Sequence, residues 1–267
     1  MKNLKWLIDN CNYYDTHAHL NFSPLKDNVD VLIEMMKQNK VITNIIGTNY
    51  ENSIVAIEQA KKYDNVMAVV GFHPDDIGNK DENDCFNQID SLVKDNLDVI
   101  TAIGEIGLDY TSTVPKEKQI KVFIKLIELG HKYKLPIMIH VREAHEDVIN
   151  ILNQYAKGLK IIIHCFTGNK EQANKYLELG CYLVANGIIT FKSKNEDLLD
   201  AFKIIPLDRV LIETDAPWLA PVPSRGKTNT PIMVKHVFNK LMEIYKVDAT
   251  SLKEQLRKNA LDTFLNK

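Results

Sequence analysis

The sequence predicts an α/β fold, a (β/α)8 barrel of the TIM type, filling a single domain over residues 1–267. Three observations carry that expectation. The chain has 267 residues and no low-complexity or Pro/Gly/Ser-rich segment that would divide it, and barrels of this kind take roughly 250 residues. Short apolar or β-branched runs are followed by longer stretches of helical periodicity, and the pair recurs eight times. The short runs lack polar alternation, which suits parallel strands covered on both faces. Alternation alone would also fit a doubly wound open sheet; eight units in this length favour the closed barrel.

The units follow one another without a long gap. Strand Tyr14–His17 precedes helix Asn28–Gln38, and strand Val41–Ile46 precedes helix Glu51–Tyr63. Strand Val66–Gly71 leads to helix Asp84–Lys94, and strand Val99–Gly104 to the long periodic helix Lys116–Tyr133. Strand Pro136–His140 is followed by helix Ala144–Tyr155, and strand Lys160–His164 by helix Lys170–Leu179. Strand Cys181–Ala185 has the softest boundaries and precedes helix Asn195–Ile204. Strand Val210–Glu213 and helix Pro231–Tyr245 complete the eighth unit. A last helix, Ser251–Leu261, opens with Ser251 and Glu254 at the spacing of a capping box.

The composition is ordinary for a globular protein, with 45% apolar and 25% charged residues. That excludes a disordered chain, a collagen-like fibre and a coiled coil. A formal net charge of −2 argues against a protein that coats long nucleic acid, since such domains are usually strongly basic. A nucleotide or strand end held in one pocket stays open. No apolar run approaches the roughly 20 residues of a membrane span. The opening segment, MKNLKWLIDNCNYYD, is read as part of the working chain, because Asp9 cuts its apolar stretch short of a signal-peptide core. Cys11, Cys85, Cys165 and Cys181 are scattered with no C-x-x-C pair. They read as reduced, buried thiols, and the expected location is cytoplasmic.

The histidines carry the chemical signal. Of eight, five fall at or just past the end of an expected strand: His17, His19, His73, His140 and His164. Glu105, Asp109 and Asp215 fall at equivalent places. In a barrel these strand ends converge on one mouth, where the active sites of such barrels lie. His131, His145 and His236 lie on helices and read as solvated or packing residues. His17 and His19 form an H-x-H in YDTHAHL, and residues two apart on a strand face the same side. Both imidazoles can therefore reach one ion, with Asp15 either orienting a histidine behind them or filling a plain polar place at the strand end. Glu105, in GEIGLDY, is a carboxylate directly after an apolar strand; beside five histidines it reads as a metal ligand. His140 in PIMIHVRE and His164 in KIIIHCFTG end two successive apolar runs alike, as if two nitrogens shared an ion. Cys165 is expected to face away from them. Asp215, in VLIETDAPWL, can both bind metal and accept a proton from water, where without the histidines it would read as an N-cap or turn aspartate. His73, in VVGFHPDD, fits a substrate or leaving-group contact, or a solvated loop. Arg225 and Lys227, in PVPSRGKTNTP, fit phosphate, for which the arginine fork is suited; composition equally allows a solvated basic loop.

In order along the chain, YDTHAHL, GFHP, GEIGLDY, IHVREA, HCFTG, ETDAPWL and RGKTNTP resemble the motifs of the TatD-type metal-dependent deoxyribonucleases, within the amidohydrolase superfamily. They span Tyr14 to Pro231, most of the chain. The resemblance implies a barrel of the metallo-dependent hydrolase type with two divalent ions, of Zn, Mn or Mg. It would place His17, His19, Glu105 and Asp215 on one ion and Glu105, His140 and His164 on the other, Glu105 bridging. It would turn His73 and Arg225, with Lys227 beside them, toward the substrate phosphate. Two departures lie on the substrate side: Asp75 and Asp76 follow GFHP where some members carry a second histidine, and Thr230 stands where glutamate is usual.

The expected reaction is hydrolysis of a phosphodiester by a water activated between two ions. Asp215 is the expected general base, and Glu105 and His73 complete the catalytic set. The expected substrate is DNA, as a strand end or single strand. Two other readings stand beside it. One is a lactonase, amidase or phosphotriesterase of similar architecture; the other is a non-enzymatic binding barrel, against which the full set of six ligands argues.

Overall fold

The apolar runs form eight parallel strands that pair in chain order in one sheet. The computed structural model describes residues 3–192 and 195–264. The strands are β1 (Tyr13–Ala18), β2 (Val41–Ile46), β3 (Val66–Val70), β4 (Ile100–Asp109), β5 (Ile137–Arg142), β6 (Ile161–Ile163), β7 (Tyr182–Ala185) and β8 (Val210–Ile212). A parallel bridge between Ala18 and Ala216 joins β1 to the chain after β8 and closes the ring into a TIM barrel. Three bonds reinforce the seam: Asp215 N to His17 O at 3.0 Å, His19 N to Ala216 O at 2.7 Å, and Thr16 Oγ1 to Ile212 O at 3.0 Å.

The helices are α1 (Leu4–Asn10), α2 (Val29–Gln38), α3 (Tyr50–Lys62), α4 (Glu82–Asp95), α5 (Lys116–Tyr133), α6 (His145–Tyr155), α7 (Lys170–Glu178), α8 (Glu196–Ile204), α9 (Val234–Tyr245) and α10 (Ala249–Phe264). Sequence alone misses α1. The final helix also starts earlier than expected: Asp248, not Ser251, caps it, accepting from Thr250 N and Ser251 N. A carboxylate one turn upstream captures the free amides first.

The core has two layers. Apolar faces of the helices pack on the outside of the sheet through residues such as Ile33, Leu126, Leu152 and Phe202. Inside the ring, Ile42, Ile46, Met67, Val69, Met138, Ile162, Val184 and Leu211 fill the barrel. Leu4 and Ile8 of α1, with Ala260 and Phe264 of α10, close its N-terminal end. Burying that end leaves the strand C-termini as the open face.

Two irregularities aim side chains into that face. The β3–β4 and β4–β5 ladders both shift register, the latter between Ile103 and Ile106, so Glu105 leaves the regular pleat as bulged residues do. Pairing then resumes from Ile106↔Ile139 to Asp109↔Arg142. The strands therefore do not end at Glu105 and His140, as the apolar runs suggest; each continues beyond its functional residue. Gly107 permits this. It has φ 144°, and a Cβ there would lie 2.1 Å from the His140 carbonyl oxygen. Only glycine accepts both the backbone angle and the approach.

Candidate active site

At the open face, β1, β3, β4, β5, β6 and the loop after β8 deliver one cluster of imidazoles and carboxylates. His17, His19, Glu105 and His164 are buried there. His17 Nε2 and His19 Nε2 lie 3.0 Å apart. Asp215 Oδ1 is 3.5 Å from each of them, and Glu105 Oε2 is 3.5 Å from His17 Nε2. The other oxygen of Glu105, Oε1, is 2.7 Å from His164 Nε2 and 2.8 Å from His140 Nδ1. One carboxylate thus stands between two sets of nitrogens. His73 joins the second set, with Nε2 3.8 Å from Glu105 Oε1. The structure so brings together His17, His19, His73, Glu105, His140, His164 and Asp215.

Further carboxylates stand beside the outer nitrogens. His140 Nε2 faces Asp109 Oδ2 at 3.3 Å, and Asp109 is itself fixed by Thr111 N at 2.8 Å. His164 Nδ1 lies 3.4 Å from Glu213 Oε1, which accepts from Cys165 N at 2.7 Å. A carboxylate behind an imidazole sets its tautomer and turns the far nitrogen inward. His73 is set differently. Its Nδ1 accepts from Asp75 N at 3.1 Å, so in the neutral ring the proton is on Nε2, facing Glu105.

Asp15 does not orient an imidazole, as expected from sequence. It accepts from Thr214 N at 2.8 Å, Thr214 Oγ1 at 2.6 Å and the backbone N of His17 at 3.3 Å. It pins the loop carrying Asp215 to β1, a role only the ring closure reveals. Cys165 does not face away either. β6 stops at Ile163, and Cys165 turns into the left-handed region at φ 46°, so strand alternation no longer applies. Its thiol receives Asn186 Nδ2 at 2.9 Å and lines the mouth.

The charges of the cluster follow from burial and proximity. Burial opposes charge on Glu105, yet the imidazoles of His164, His73 and His140 around it hold its carboxyl well below the usual carboxylate range. Burial, then the neighbouring His164 ring, pushes His17 well below the usual histidine range. Burial also opposes protonation of His164, but Glu105 and Glu213 on its two sides hold it well above that range. The cluster is thus an ionised carboxylate ringed by imidazoles.

Such a set fits divalent metal. His17, His19 and Glu105 offer donor atoms within 4.8 Å of one another, as do His73, Glu105 and His140, and His17, His164 and Glu213. The Nε2 atoms of His17 and His19 face each other at 3.0 Å, so both can reach one ion placed between them. Donors on a tetrahedral ion with bonds of about 2.0–2.1 Å are roughly 3.3 Å apart, close to the 3.0–3.5 Å that separate His17, His19 and Asp215. Mixed imidazole and carboxylate donors suit Zn or Mn better than Mg.

The cluster floors a cavity of about 660 Å³, within the range of small-ligand sites. Its walls include Phe22, Thr48, Asp75, Asp76, Arg142, Thr167, Trp218 and Leu219. Arg225 and Lys227 are exposed and are not among the lining residues; the Arg225 guanidinium lies 3.6 Å from the centroid of the Phe191 ring. Among the described residues, the lysine or arginine in the cavity wall is Arg142. Its signal was present in the sequence: it is two residues after His140 on one strand, hence on the same side. Trp218 and Phe22 carry no such periodic signal, because both lie on loops.

A family profile described as "TatD related DNase" matches residues 14–265. An uncharacterized metal-dependent hydrolase of Mycoplasma genitalium is 37% identical over 259 residues, covering 94% of this chain and 98% of the relative. The uncharacterized metal-dependent hydrolase YabD of Bacillus subtilis is 36% identical over 257 residues, covering 94% and 98%. Among solved structures, the TatD homolog YjjV of Escherichia coli superimposes with a TM-score of 0.88 at 26% identity, covering 95% of this chain and 98% of that one.

Proposed function

Since the chain belongs to the TatD-related DNase family of metal-dependent hydrolases, we propose that it hydrolyses phosphodiester bonds in DNA, acting on strand ends or single strands. The observation that carries the reading is Glu105, whose two oxygens serve two sets of imidazoles at the floor of an open cavity. His17, His19, Glu105 and Asp215 would hold one divalent ion, and Glu105, His140 and His164 a second. Such ions supply Lewis acidity to the phosphate and acidify the attacking water.

The chain's own groups do the rest. Asp215 projects a carboxylate into the cavity from the loop after β8 and accepts the proton of the attacking water. The water oxygen bonds to phosphorus, the bond to the leaving oxygen breaks, and the products are a phosphate monoester and an alcohol. His73, with its proton on Nε2, donates to a phosphate or leaving-group oxygen. Arg142, at the cavity wall, pairs with a phosphate oxygen through its planar donors. Arg225 and Lys227 would meet a longer strand outside the cavity.

A formal net charge of −2 argues against coating of a long duplex, which calls for a strongly basic domain, and favours local engagement. The test is a comparison of substrates with Mn²⁺ present. Linear single-stranded oligonucleotides are expected to be cut from an end and faster than matched duplex. Equal cutting of closed circular duplex would overturn the strand-end reading. Hydrolysis of a lactone or phosphotriester with no cutting of any strand would overturn the nuclease reading.

A further inference from the structure

Among the largest exposed apolar side chains is Trp218, and it stands inside the cavity wall with 48% of its surface accessible. Nothing in the hydrolytic reading uses it. Its ring centroid is 5.0 Å from that of His19 and 5.8 Å from that of Phe22, which is itself 5.3 Å from His19. All three contacts are edge-to-face. The backbone of Trp218 is held independently of its indole: Trp218 N donates to Asp215 O at 2.9 Å, and Asn229 Nδ2 donates to Trp218 O at 2.7 Å. The indole is thus fixed in place, next to a candidate metal ligand, with much of its surface left to a ligand.

We infer that Trp218, backed by Phe22, is a stacking platform for an unpaired nucleobase of the strand whose phosphate lies over the histidine cluster. The inference rests on the phosphodiesterase reading and adds the element that selects single strands. An aromatic face stacks on any base, so it confers affinity without sequence preference. In a duplex each base is covered by its neighbours in the stack, whereas an end or a single strand can turn one outward.

The placement gives the strand a direction. Phe22 follows β1 and Trp218 follows β8, which are neighbours in the ring. Asp75 and Asp76 follow β3, on another arc of the same cavity, and their carboxylates repel phosphates. A strand therefore enters over the aromatic arc and not over the acidic one.

The test uses the purified protein and a single strand with phosphorothioate linkages, which resist cutting, dye-labelled at its far end and read by anisotropy. The same strand with abasic terminal nucleotides is the comparison. Stacking of one base is worth about 5- to 150-fold in affinity, so the wild type is expected to prefer the base-bearing strand by a ratio in that range. Trp218→Ala is expected to bring the ratio close to one, and Trp218→Phe to keep most of it. Trp218→Leu, apolar but without a π face, carries the same expectation as alanine should the alanine variant not fold. A wild-type ratio retained in Trp218→Ala or Trp218→Leu overturns the platform, as does a wild type that binds no strand. Cutting of ordinary strands with Mn²⁺, measured alongside, separates the two readings. Base preference without cutting supports the platform and counts against the nuclease. Cutting with an unchanged ratio in the variants counts against the platform alone.

Discussion

Asp215 occupies a left-handed backbone conformation, φ 56°, on a loop tied to β1 by its own amide and by the Asp15–Thr214 bonds. That fixation puts its carboxylate 3.5 Å from two imidazole nitrogens while leaving it partly open to the cavity. Asparagine preserves the shape and one oxygen but cannot accept a proton. General-base assistance is worth about 10²–10⁴-fold, so Asp215→Asn is expected to lower turnover of a single-stranded oligonucleotide by that order, with the circular dichroism spectrum unchanged. Near wild-type turnover would remove Asp215 as the base. At this scale the sequence was informative wherever a residue sat at a strand end. His17, His19, His140 and His164 could be grouped because strand termini converge, whatever the loops do. Asp15, Cys165 and Arg225 resisted the same treatment. Asp15 bonds Thr214, 199 residues away, Cys165 lies past the point where strand alternation stops, and Arg225 is on a loop whose direction no periodicity fixes.

The eight strands were legible from apolar runs because parallel strands in a barrel are covered on both sides. Their ends were less so. β4 extends to Asp109 and β5 to Arg142 because Gly107 lets the two backbones keep pairing past the bulge at Glu105. A hydrophobicity pattern records burial, and Glu105 and Asp109 are buried without being apolar. Helix α1 escaped notice for a related reason. It has 7 residues, too few to show a period, and it bears an exposed Trp6. Its function is packing: Ile8 is fully buried against the closed end of the barrel, in one cluster with Leu4 and Phe264. Ile8→Ala is expected to cost about 2–5 kcal/mol, read from chemical denaturation. Metal affinity should be unchanged, because α1 plugs the end opposite the cluster. A variant as stable as the wild type would mean that α1 does not seal the barrel.

Across the whole molecule, stability and chemistry occupy opposite ends. The N-terminal end of the barrel is closed by α1 and α10, and the strand C-termini hold the charged and imidazole side chains. No described helix is long and apolar enough to cross a membrane. The buried nitrogens of the cluster converge with two carboxylates, a donor set that fits a divalent ion. Metal dependence is therefore the central claim, and it can be measured directly. Protein stripped by chelation, with its metal content verified by elemental analysis, is assayed on a linear single-stranded oligonucleotide before and after addition of Mn²⁺ or Zn²⁺. The expected result is no hydrolysis by the stripped protein and recovery once metal is returned. Full hydrolysis by protein verified to be metal-free would contradict it.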